Sequence, residues 1–123
     1  MSTNTPTGEA ALPPMTGSPL KVLRLTLKRK WFDMISIGEK REEYREPKDW
    51  IFSRLIGKDY DVVEFSNGYG KHVPKVTVSF WGWHQGTGDP KRGAIPGRNY
   101  VVIRLGDVIS SENVQSPDAD ATE

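Results

Sequence analysis

From Leu23 the chain alternates, with Leu23, Leu25 and Leu27 apolar and Arg24, Thr26 and Lys28 polar. A period of two is that of a strand with one face in a core and the other in water. Over residues 31–37 the period changes: Trp31, Met34 and Ile35 share one side of a helix, and Gly38 supplies the usual stop. Pro47 disfavours a helical Glu46, so the chain is expected to be extended again after Gly38. Trp50, Ile51, Arg54 and Leu55 are then spaced for a further turn or two of helix. Residues 60–65 read as a strand, closed by a turn at Asn67-Gly68. Residues 74–84 read as the next strand, with Val76, Val78 and Phe80 on one face and Lys75, Thr77, Ser79, Trp81 and Trp83 on the other. If the first face is buried, at least one of the two tryptophans stays partly exposed. The Gly- and Pro-rich stretch 84–99 predicts a long loop, and residues 100–109 an apolar closing strand.

Four or five short strands with one or two brief helices inserted early define an α+β fold, mainly β. With no repeat and no βαβ alternation, the expected arrangement is an antiparallel sheet curled into a small barrel. Residues 1–18 and 110–123 are rich in Ser, Thr, Pro and acids and poor in bulky apolar side chains. Such segments cannot offset the entropy of ordering, so both read as flexible tails, the second acidic, around one domain at 19–109. A chain of 123 residues supports one modest core.

Composition narrows the chemistry. There is no Cys, which excludes disulfides and thiolate metal sites and mildly favours a reducing cytosol. No apolar run reaches the roughly 18 residues of a membrane span, and the N-terminus lacks a basic-then-apolar leader, so a soluble cytoplasmic protein with no membrane partner is expected. The two histidines, His72 and His84, match no ligand or triad spacing, and no metal or other cofactor is expected. The glycines at 86, 88, 93 and 97 do not form a phosphate-loop motif, although Lys91, Arg92 and Arg98 would attract a polyanion there. The net charge of +1 conceals an uneven distribution: all 17 Lys and Arg but only 11 of the 16 acids fall within 19–109, leaving that segment at +6.

Basic and aromatic residues are interleaved. Lys28-Arg29-Lys30 precede Trp31, Tyr69 precedes Lys71, and Trp81 and Trp83 share a strand face with Lys75. Proteins that hold single-stranded nucleic acid pair backbone-tracking cations with rings on which bases stack. Lys28, Lys30, Lys40, Lys71, Arg92 and Arg98 are the candidate phosphate contacts, with His72 beside Lys71. Tyr69 and Trp81 are the candidate platforms, while Trp31 and one strand tryptophan are expected to close the core.

The stretch GEKREEYR, residues 38–45, has a strand phase that puts Arg41, Glu43 and Arg45 on one face and Lys40, Glu42 and Tyr44 on the other. Gly38-x-Lys40-x-x-Glu43-x-Arg45 resembles the G-x-K-x-x-E-x-R signature of the ASCH domain, a relative of the PUA domain, and the order of elements over residues 20–109 is similar to that of its small single-domain prokaryotic or phage-type members. The resemblance implies a PUA-like β-barrel with a cleft beside the signature and a role in binding RNA or modified nucleosides. It implies that Lys40, Glu43 and Arg45 line or buttress that cleft, which requires the chain to bend near Gly38. Some bacterial members are amidohydrolases that use the signature lysine, a threonine three residues on, and a distant glutamate to deacylate N4-acetylcytidine; this chain keeps Lys40 but has Glu43 in the threonine's place. Other members look like nucleases.

Two function classes follow. The first is a non-catalytic module binding RNA or a nucleotide through Lys28, Lys30, Lys40, Arg45, Tyr69, Lys71, Trp81, Arg92 and Arg98. The second is a small hydrolase acting on a modified nucleoside or on RNA, with Lys40 as stabiliser or base and Glu43 or Glu64 moving the proton. Glu64 interrupts an apolar strand between Val63 and Phe65, which points it away from the face those two share. A scaffold that keeps only the fold is the third class. Oligomeric state is not encoded in any of these patterns.

Overall fold

A computed structural model describes residues 19–114; residues 1–18 and 115–123, which carry most of the two predicted tails, lie outside the described residues. The elements run β1 (Val22–Thr26), α1 (Arg29–Ser36), β2 (Glu42–Arg45), α2 (Asp49–Leu55), β3 (Val62–Ser66), β4 (Lys75–Gly86), a 3-10 turn (Pro90–Arg92) and β5 (Tyr100–Glu112). The fold is mainly β with two short helices, its five strands forming one curled sheet in the order β1-β3-β4-β5-β2.

The sheet is mixed, not wholly antiparallel as the sequence pattern suggests. Three pairings are antiparallel, but β1 and β3 run parallel, with Leu23 opposite Val63 and Leu25 opposite Phe65. A parallel pair needs a long crossover, and here α1, β2 and α2 all lie within it. The four-residue β2 in the middle pairs at the opposite edge of the sheet, so the crossover does not read as a βαβ unit.

Alternation puts Leu23 and Leu25, Val63 and Phe65, and Val76 and Val78 into the core. Val101, Ile103 and Leu105 of β5 join them, and Phe32 and Ile35 of α1 and Ile51 and Leu55 of α2 cover them. The helix phase of α1 is therefore set by Phe32 and Ile35, with Trp31 turned to a half-buried position beside that stripe.

Strand β4 does not keep one phase. Phe80 and Trp83 both pack against the core although they are three positions apart, an odd spacing that would put them on opposite faces of a regular strand, because the pairing with β5 slips between Phe80 and Trp83 and Gly82 takes φ +102° there. Trp83 thus turns inward onto Phe52, ring centroids 6.0 Å apart, while Trp81 is 57% exposed. Beyond the bulge β4 continues to Gly86, into the predicted loop, opposite Tyr100. Strand β5 likewise runs to Glu112, past the expected boundary at 109, because Ser110, Ser111 and Glu112 pair with Thr77, Val76 and Lys75.

The strand order leaves β1 and β2 as the two sheet edges. Arg45 of β2 crosses between them, donating from Nη2 to the Thr26 carbonyl at 2.7 Å, and Arg54 of α2 donates to the Arg24 carbonyl at 2.9 Å. Two guanidinium groups thus occupy alternate carbonyls of an edge strand that would otherwise lack partners.

Candidate functional site

The chain bends at Gly38, φ +83°, and the amides of Glu39 and Lys40 both donate to the Met34 carbonyl, wrapping the segment around the end of α1. Strand β2 begins only at Glu42, so Lys40 is not bound by its alternation. Lys40 therefore swings onto the Glu43 side. Arg41 does not join them: its guanidinium pairs with exposed Asp107 at 2.8 Å, a departure from the strand phase read in the sequence.

Lys40 and Glu43 are the two buried charged residues among those described, 3% and 5% exposed. One Glu43 oxygen lies 3.6 Å from Lys40 Nζ, and the other accepts from Arg45 Nε at 2.7 Å. Lys40 Nζ also donates to the Arg92 carbonyl and sits 4.4 Å from the Tyr44 ring centre and 5.3 Å from that of Trp31. Burial holds the Lys40 amine below the ordinary lysine range, against the opposing pull of Glu43. Burial likewise pushes the Glu43 carboxyl up, against Arg45 and Lys40. With two cations on one carboxylate, the amine is the group that gains by losing its proton, since a guanidinium keeps its charge.

Tyr44 latches this cluster to the loop beyond β4. Its hydroxyl donates to Glu42 Oε1 at 2.8 Å and accepts from the Asp89 amide at 3.0 Å, and burial pushes its pKa up to about 12. Tyr44→Phe keeps the ring beneath Lys40 and removes only the latch. It is expected to cost about 1 to 2 kcal/mol in urea unfolding; an unchanged midpoint would show the latch to be idle.

Beside the cluster opens a cleft of ≈ 750 Å³. Its rings are Trp31, Tyr44, Trp50, Tyr69 and Tyr100, and its cations Lys28, Arg45 and Lys48. Glu43, Glu46 and Asn67 supply acceptors and an amide. Among the described residues Lys28 has no carboxylate partner, and Tyr69 is 86% exposed on the β3–β4 turn.

The predicted site residues separate into groups. Glu43, Arg45, Lys28 and Tyr69 meet in the cleft, with Lys40 packed behind its wall. Lys30 reaches over the Trp31 ring at 4.8 Å, and Arg98 stands at the rim, 3.6 Å from Glu46. Trp81 and Arg92 line a different concavity of ≈ 360 Å³ with Arg41 and Arg104. There Arg92 is tied to Asp89 and donates to the Glu39 carbonyl at 2.8 Å. Lys71 and His72 are exposed on the β3–β4 turn, outside the cleft lining. Glu64 pairs with Arg24 at 3.2 Å, also outside it.

Trp31, Tyr44, Lys48, Trp50 and Tyr100 are cleft residues that sequence reasoning did not assign to the site. Trp50 carried a usable signal: Ile51 and Leu55, four apart, fix the buried side of α2 and leave Trp50 off it. Tyr100 carried none, because it opens an apolar run of uniform appearance.

Among the described residues no helix is long and apolar enough to cross a membrane, and no group of three His, Asp or Glu side chains is placed to hold a metal ion. Compared with known proteins, the chain matches no family model, no curated protein and no solved structure.

Proposed function

We propose that this chain is an ASCH-type, PUA-like domain that binds RNA or a nucleotide in the cleft beside residues 38–45. The observation that carries the reading is the convergence of five rings and three cations on one concavity of ≈ 750 Å³. That volume is in the usual range of ligand sites, about 300 to 1,000 Å³. A nucleobase has two π-faces and a polar edge, which suit Tyr69, Trp50 and the Asn67 amide. Its phosphates suit Lys28, Lys48 and Arg98, with Lys30 adding charge at the rim.

Single-stranded RNA carrying a fluorescent label is expected to bind at low ionic strength and to be released as salt rises. Tyr69→Ala and Trp50→Ala should each weaken it by about 1 to 3 kcal/mol, the worth of one stacked base. Absence of salt-dependent binding at low ionic strength sinks the proposal.

The hydrolase reading keeps one observation in its favour: an amine with a lowered pKa beside a buried carboxyl at the cleft wall. Against it, Lys40 Nζ is covered by two rings and already donates to a carbonyl. Incubation with N4-acetylcytidine and with labelled RNA separates the readings. Turnover by wild type that Lys40→Met abolishes would favour hydrolysis, and turnover that survives in it would remove Lys40 from any mechanism.

A further inference from the structure

The cleft does not end at Trp50. Thr26, Arg45 and Trp50 also line a second hollow of ≈ 250 Å³, whose remaining wall includes Arg24 and Arg54. At roughly 30 Å³ per water, the hollow has room for a phosphate and part of a sugar.

Its three guanidinium groups are held in place without being used up. Arg45 is fixed by Glu43 and the Thr26 carbonyl, Arg24 by Glu64 through Nε at 3.2 Å, and Arg54 by the Arg24 carbonyl. A guanidinium has five N–H donors in a rigid fork, and these contacts leave several on each residue. Among the described residues Arg54 has no carboxylate partner. Anchored arginines with spare donors are suited to bidentate contact with a phosphate.

We infer that the ligand is a single-stranded nucleic acid of at least two nucleotides, which crosses Trp50 with one base in the main cleft and the adjoining phosphodiester on Arg24, Arg45 and Arg54. The inference rests on the nucleotide-binding reading above and makes it specific: a free nucleoside would fill the main cleft and leave the arginine hollow empty. Trp50, 44% exposed and shared by both hollows, is the ring over which the strand passes.

The test measures fluorescence anisotropy with mixed-sequence decanucleotides, in separate RNA and DNA arms. Ribonucleosides and their monophosphates serve as competitors. Arg54→Gln and Arg24→Gln are compared with Lys58→Gln, an equal charge change outside both hollows, after thermal unfolding has shown all three to be folded. Arg24→Gln guards against a folding defect in Arg54→Gln, because the Arg24 side chain is 68% exposed. Decamers should bind more than about tenfold tighter than any monophosphate, and each hollow variant should weaken them about five- to tenfold. The slope of log affinity on log salt should fall by about 0.7 in each hollow variant. Binding of RNA alone or of both strands supports the inference. Monophosphates that bind as tightly as decamers overturn it, as do hollow variants that behave like Lys58→Gln, and in both cases the nucleotide-binding reading survives. If no strand binds at low salt, that parent reading fails as well.

Discussion

Glu43→Gln should be the most destabilising single change in the site, by about 3 to 5 kcal/mol, because it removes the anion from a buried cluster and leaves two cations facing each other. The glutamine keeps the shape and can still accept one hydrogen bond, so the loss is one of charge more than of packing. Lys40 Nζ would retain the Arg92 carbonyl and the two rings, and Arg45 would retain the Thr26 carbonyl. Neither arrangement neutralises a cation that is out of water. At about 4 to 8 °C per kcal/mol for a domain of this size, the melting temperature should fall by at least about 12 °C. Glu64→Gln is the comparison. Its pair with Arg24 is at the surface, the Arg24 side chain 68% exposed, and such pairs contribute about 0 to 1 kcal/mol. Equal losses in the two variants would mean that the Glu43 cluster is not the electrostatic keystone its burial implies.

The cost of keeping that cluster has a structural return. Strands β1 and β2 are the edges of the curled sheet, and Arg45 bridges them through the Thr26 carbonyl. Glu43 holds Arg45 in the extended pose that reaches across, and Lys40 backs Glu43 from the helix side. The same three residues therefore tie the sheet edges together and build one wall of the cleft. Arg45 lines the cleft, whereas the Lys40 amine is covered by Trp31 and Tyr44 and bonded to the Arg92 carbonyl behind it.

Much of this was legible in the chain, and what was not has identifiable causes. Leu23 and Leu25, and Val76 and Val78, declared their strands by alternating about a polar residue in a sheet wet on one side, and Val63 and Phe65 by an apolar run that Glu64 interrupts. Strand alternation alone set Lys40 opposite Glu43, and only the resemblance implied that they converge; in the fold they lie 3.6 Å apart because the chain bends at Gly38 before β2 begins. The parallel β1–β3 pairing was hidden, because pairing depends on where β2 goes, and a four-residue strand of three charged residues and a tyrosine carries no record of its partner. Trp83 was misplaced with Trp81 for a local reason: one bulge at Gly82 reverses the phase of everything after it. Trp81 was grouped with Tyr69 by its basic neighbours, but it lies in the other concavity with Arg41. Basic and aromatic interleaving is visible in the chain, whereas the assignment of each ring to a concavity depends on tertiary packing.

Lys40→Met tests the same cluster from its other side, and the sign of its pH dependence is fixed by the burial of the amine. Folding holds the Lys40 pKa below its ordinary value, about 10.4 in the unfolded chain. Between the lowered folded value and the unfolded one, the unfolded chain binds more protons than the folded one. Stability contributed at this position therefore rises with pH across that window and is flat outside it. Lys40→Met removes the titrating group while keeping most of its length against Trp31 and Tyr44, so the difference in unfolding free energy between wild type and variant separates the Lys40–Glu43 cluster from titrations elsewhere in the chain. That difference should shift in favour of wild type as pH increases from about 7 to about 10, read from urea midpoints at each pH. Near neutrality the variant should lose no more than about 2 kcal/mol, well short of Glu43→Gln, because Glu43 keeps its 2.7 Å bond to Arg45 when the lysine goes. Parallel stability curves for wild type and Lys40→Met would show that the amine keeps its ordinary pKa in the fold, and would remove the one feature that favours a base at this position.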